Sequence, residues 1–162
     1  MFTRERTNNE FQLDHFAKVS RDLTEDSLFE HFPGHGHSPA WILGHLAICA
    51  ELGQHMLGGS LTHPEWVERF GPNSVDTGKP DAILSLSLMT NAVIDGYRDL
   101  RAMAGSVTDN SRLDSPHGVP VLTGTQIVSV ADMIALLLTN HFAFHLSQLS
   151  SCRRSAGHAA LF

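Results

Sequence analysis

The chain has 162 residues, 42% hydrophobic, 17% charged and 7% aromatic, a composition that supports one globular domain with its own core and excludes a fibrous or disordered chain. Lysine and arginine number 11 against 17 acidic residues, a net charge of −6 with histidines neutral. No basic cluster is present to hold a phosphate backbone, so nucleic acid is not expected as a partner. Histidine is the outlier, with 11 residues, as many as lysine and arginine together; it is a common metal ligand and titrates near neutrality.

Four long helices are predicted. The first runs from about Arg6 to Leu23, with Leu13, Phe16, Ser20 and Leu23 on one face. The second has sharper ends, because Ser38 suits the N-cap, Pro39 suits the first helical position and Gly58-Gly59 stops the run. Its apolar seam is Ile42, His45, Cys49, Leu52 and Met56, so a histidine interrupts a core-facing stripe. Thr62-His63-Pro64-Glu65 resembles a capping box opening a short extra helix through Trp66, Val67 and Phe70, stopped by Gly71-Pro72.

The third long helix is expected from Pro80 to Ala104, with Ile83, Leu86, Thr90, Ile94 and Tyr97 at helical spacing and Gly105 as its stop. Val119 to Thr125, within a polar, proline-bearing connection, suggests a short extended piece. Ser129-Val130-Ala131-Asp132 is a second capping box and opens the fourth helix, which runs to about Arg154. Ile134, Leu137, Leu138, His141, His145, Gln148, Leu149 and Cys152 share its face.

Four amphipathic helices without repeats or low-complexity segments imply an all-α four-helix bundle over residues 1–162, a single domain. The connection from Gly58 to Pro80 spans about 20 residues, more than antiparallel neighbours need, and suits a crossover leaving helices two and three parallel. Two cysteines, Cys49 and Cys152, are too few for a disulfide framework. Met1 to Asn9 carries no apolar stretch, and the longest apolar run, Met133 to Leu138, is too short to span a bilayer. A cytoplasmic protein without a membrane partner is expected.

His141 and His145 lie one turn apart on the same helical face and can converge on one ion. Spacing alone carries little weight, since this many histidines yield roughly one such pair by chance, and His31 with His35 is a second instance. Placement says more: both residues, like His45, interrupt apolar seams, where an unpartnered polar group costs a few kcal/mol. One reading is a three-histidine site with open positions for water or substrate. The other is three core histidines, each bonded to a carbonyl or hydroxyl. Glu-x-x-His pairs, His-Glu-x-x-His, Gly-x-x-x-x-Gly-Lys and Gly-x-Ser-x-Gly are all absent, which leaves metal-bound water as the best source of reactivity.

The stretch HSPAWILGHLAICAELGQHMLGG (His37 to Gly59), with Trp41 four before His45, and NHFAFHLSQL (Asn140 to Leu149), with His141, His145 and Gln148 spaced as HxxxHxxQ, together resemble the DinB-like, YfiT-like superfamily of metal-dependent enzymes. The resemblance implies an up-down-down-up bundle with a divalent metal on His45, His141 and His145. It also implies thiol-dependent transfer or isomerisation, known among members, with bacillithiol, mycothiol or glutathione as the low-molecular-weight thiol. Nitrogen ligands suit zinc or nickel, and also iron or copper.

Around these three, Gln148 can orient a ligand or bound water, or be a polar residue at the rim. Asn140 points about 100° away and is read as structural. Glu51 and Asp14 are the nearest acids, read as lying on solvated helix faces, and Cys49 as inert packing rather than a fourth ligand. His15, His55, His63, His117 and His158 are assigned to surface or loops, with lining of a pocket mouth as the alternative for His15 or His117, and Trp41 and Trp66 are assigned to core packing. The expected function is a metal-dependent enzyme, a hydrolase if water is activated and a transferase or isomerase if a thiol is. Its small-molecule substrate would enter at one end of the bundle under Ser106 to Gln126. The rival is a noncatalytic bundle, dimeric or partner-binding, whose ion serves stability or sensing. A homodimer is expected on either reading.

Overall fold

The structure, a computed structural model, describes residues 1–161. Its helices in chain order are α1 (Thr3–Ser20), α2 (Pro39–Met56), α3 (Trp66–Phe70), α4 (Leu86–Ser106), α5 (Asn110–Leu113), α6 (Val130–Leu136) and α7 (Phe142–Ser155), and a π-helical turn, Leu137–His141, joins the last two. Among the described residues there is no strand, and a single isolated bridge links Pro116 to Ser129. The protein is all-helical.

Local signals explain most boundaries. The Ser38 side chain accepts from the Trp41 N–H, Pro39 opens α2, and α2 ends before Gly58, whose φ of 97° favours glycine. Ser129 and Asp132 form the expected reciprocal capping box at the start of α6.

Four expectations are corrected. The first helix starts earlier, at Thr3, and gives way to turns after Ser20. The third starts at Leu86, where Ser85 caps the Leu88 N–H; Ile83 lies outside it, 76% exposed, and the buried seam is Met89, Val93, Gly96, Tyr97, Leu100 and Ala104. Thr62 makes no capping box for α3, because the backbone N–H groups of Thr62 and His63 donate to Glu51. Val119 to Thr125 contains a 3-10 turn, Pro120–Leu122, rather than an extended piece, since Pro120 presets a tight turn.

The long helices meet around aromatic side chains from three of them. Phe142 of α7 packs edge-on against Phe16 of α1 at 6.0 Å and against Tyr97 of α4 at 4.6 Å, all three fully buried. Small residues set the α2–α4 contact: a Cβ on Gly96 would lie 3.2 Å from Ala50, and Gln54 Nε2 donates to the Gly96 carbonyl at 2.8 Å. On the other side α1 meets α4 through Arg101 and Glu10, and meets the last helices where Gln12 reaches the Thr139 carbonyl. Arg153 of α7 is buried and pairs with Asp22 after α1. By length and composition, the continuous helix Val130–Ser155 is the one among the described residues that could cross a membrane.

Candidate metal centre

The 29 residues between α2 and α4 position the site, and they reach it because Gly44 lacks a side chain. A Cβ at Gly44 would fall inside the Phe70 ring, so only glycine lets the end of α3 lie flat against α2 one residue before His45. Phe70, 3% exposed, then presents its carbonyl to His45 Nδ1 at 2.6 Å. That bond places the His45 proton on Nδ1 and leaves the Nε2 lone pair facing the interior.

His145 is held in the same way. Its Nδ1–H donates to Gln148 Oε1 at 2.7 Å, one turn on, which frees its Nε2. Gln148, half-buried, is thus bonded to the ring of His145. His141 closes the π-helical turn, and its Nε2 lies 3.2 Å from His45 Nε2 while its Nδ1 is buried without a partner. One ligand atom from each of His45, His141 and His145 lies within 4.8 Å of the others.

This arrangement is unsatisfied by itself. If His141 carries its proton on Nδ1, that N–H is buried without an acceptor and two Nε2 lone pairs face each other. If it carries the proton on Nε2, it donates to His45 Nε2 at 3.2 Å, and the buried Nδ1 lone pair is the atom left without a partner. Burial first, and then the neighbouring imidazoles, push His141 down to about 3 and His145 to about 4, and burial lowers His45 too. At neutral pH all three are uncharged, the state in which imidazole binds a metal. Among the described residues no carboxylate joins the cluster. Three ring nitrogens gathered this closely could hold a metal ion. Metal identity is not determined by this donor set.

Aromatic side chains surround the cluster. Trp41 stacks on His45 at 4.6 Å and on its other face takes His37 at 3.7 Å, while its Nε1–H donates to Ser74 Oγ at 3.0 Å. Phe144, 60% exposed, packs edge-on against His145. Beyond Trp41 and Phe70 a cavity of about 320 Å³ opens among Phe29, Arg69, Asp76 and Lys79.

The remaining candidates are placed as follows. Cys49 Sγ is 3.6 Å from His45 Nε2, but full burial pushes its thiol up to about 12, in keeping with inert packing. Asp14 is exposed, as expected, and Asn140, expected to be structural, is exposed as well. Glu51 is a correction: it is 2% exposed, not solvated, and accepts from Thr62 N, His63 N and His63 Nδ1. His63 lies in a loop, as expected, and is paired there with Glu51 and stacked on Trp66 at 4.4 Å. His117 belongs to its loop, bridging the Ile127 carbonyl and the Val119 N–H.

The expected cover, Ser106 to Gln126, is corrected as well. Arg112 in that stretch reaches the Met56 carbonyl, 11 residues along α2 from His45 and so about 16 Å away by helical rise. The connection between α2 and α4 borders the site instead. His37 went unread as a site residue, although it stands four before Trp41 and eight before His45, the spacing that stacks their rings.

The chain matches no protein-family model and no curated protein.

Proposed function

We propose that this chain is a metal-dependent enzyme of the DinB-like, YfiT-like kind, acting on a small molecule at a divalent ion held by His45, His141 and His145. The observation that carries the reading is the convergence of three neutral imidazoles within 4.8 Å, two of them oriented through Nδ1 by Phe70 and Gln148. Such an ion supplies Lewis acidity and lowers the pKa of a coordinated water or thiol, as in hydrolysis or in thiol-dependent transfer and isomerisation. With three protein ligands, coordination positions remain for a reactant. Trp41, buried and stacked on His45, shields that ligand from bulk water, which strengthens electrostatic effects at the ion.

The register of side-chain contacts supports the up-down-down-up order. Between α2 and α4, Ala50 meets Gly96 and Gly53 meets Leu100, so the numbers rise together. Between α1 and α7 they also rise together, from Gln12 with Thr139 to Arg153 with Asp22. From α1 to α4 they run in opposite senses, with Arg6 beside Gly105 and Glu10 beside Arg101. That order requires the long connection after α2.

Elemental analysis of purified protein beside His45→Ala and His141→Ala tests the reading. The expected result is one equivalent of divalent metal in the parent and loss of at least about a hundredfold in affinity in each variant. Stoichiometric metal that survives both substitutions, or a parent that refuses zinc and nickel at micromolar concentration, would overturn it.

A further inference from the structure

His37 stands at the residue before the α2 N-cap, half-buried, with its ring parallel to Trp41. Both faces of the indole are covered, by His37 at 3.7 Å and by His45 at 4.6 Å, and Ser74 fixes its edge. Trp41 is thus a rigid spacer that holds a fourth histidine at a set distance from the metal ligands. Those two stacking distances, end to end, put His37 beyond the roughly 2 Å of a metal–nitrogen bond. They keep it within reach of a small molecule coordinated beside His45. His37 lies near enough for its charge to be felt at both His45 and His145.

The polar atoms of His37 point the same way. Its Nδ1 is buried with no hydrogen-bond partner, and Nε2 makes no hydrogen bond among the described residues and is the accessible nitrogen. A buried N–H without an acceptor costs more than an unfilled lone pair, so the proton of the neutral ring belongs on Nε2. We propose that His37 is the substrate-binding donor of this site: its Nε2–H binds an oxygen of a carbonyl or carboxylate compound that coordinates the ion on His45, His141 and His145. The inference rests on the metal reading above and adds the substrate class and the residue that selects it. The role needs no charged imidazole and no proton transfer. Asp76 hydrogen-bonds Ser38 N and Gly78 N and pairs with His31, so its carboxylate is occupied elsewhere and does not take the His37 proton.

The test uses protein loaded with cobalt(II), whose visible absorption reports coordination, and acetohydroxamate as an oxygen-donor probe. His37→Ala is expected to bind the probe about tenfold more weakly while cobalt affinity stays within about twofold, and His37→Gln, which keeps an N–H donor, is expected to stay within about threefold of the parent for the probe. Equal probe affinity in the parent and His37→Ala overturns the proposal and leaves the metal site standing. A matching loss of cobalt affinity overturns it by making His37 a ligand or a structural residue. Failure of the parent to take up cobalt overturns both readings. Nitrogen-15 NMR of the ion-free parent gives an independent readout: an Nε2–H tautomer at His37 is expected, and an Nδ1–H tautomer would overturn the proposal.

Discussion

Helix α2 carries two histidine-bearing centres, six residues apart, that solve burial in opposite ways. At Glu51 a buried carboxylate meets His63 Nδ1 at 2.6 Å and two backbone N–H groups at 2.8 Å, so nearly every polar atom has a partner within the chain. At His45 three imidazoles face one another with no acid among them and a ring nitrogen of His141 has none. The first centre is complete without a ligand and clamps the connection to α2. The second keeps one ring nitrogen of His141 without a partner in either tautomer and turns the Nε2 lone pair of His45 towards the cluster. A buried histidine therefore says little about function until its partners are counted.

The comparison should break first on pH. His141 and His145 titrate near 3 and 4 in the folded chain against an ordinary value near 6.5, so below 6.5 the unfolded chain binds more protons. The ion-free protein should accordingly hold full stability above about pH 6.5 and lose it progressively as pH falls towards 3. Urea midpoints measured across that range check this, and a flat profile would contradict the desolvated triad. Burial dominates the shift, with the neighbouring histidines adding to it.

Next in size, Glu51→Ala leaves His63 and two backbone donors without their acceptor and should cost about 2–3 kcal/mol of unfolding free energy. Zinc affinity should change by less than about threefold, because no ligand touches Glu51. Denaturation and chelator competition on the same preparation separate the two effects, and a parallel fall in zinc affinity would merge the centres that this comparison keeps apart.

Gln148→Ala should instead weaken zinc about tenfold by releasing His145 Nδ1, at a stability cost of about 1 kcal/mol for the one N–H left without its acceptor. Chelator competition again provides the measurement. The smallest effect is expected at Cys49: Cys49→Ala should leave zinc affinity within about twofold despite the 3.6 Å approach to His45, since its thiol stays protonated. A drop of tenfold or more would make the sulfur a ligand.

Much of the helical frame was legible from residues that act on their own neighbours. Ser38 with Pro39, and Ser129 with Asp132, are caps completed within one turn, and both boundaries agree with the structure. His45, His141 and His145 were legible as a set because each interrupts an apolar seam. Thr62 misled because the partner of its backbone N–H is Glu51, 11 residues back on another helix. Glu51 misled in turn, since a carboxylate on a helix reads as solvated until a connection folds over it. The π-helical turn carries no local mark in Leu137–His141, yet it offsets the register of Val130–Leu136 from that of α7.

Periodicity, caps and seam position, all properties of residues within a turn of each other, were enough to specify four long helices and three inward histidines. The acceptors of His45 and His63, the stacking of His37 on Trp41 and the cover over the site depend on where the connection between α2 and α4 docks. That docking is decided by contacts such as Phe70 on Gly44, between residues far apart in the chain, which no local pattern encodes.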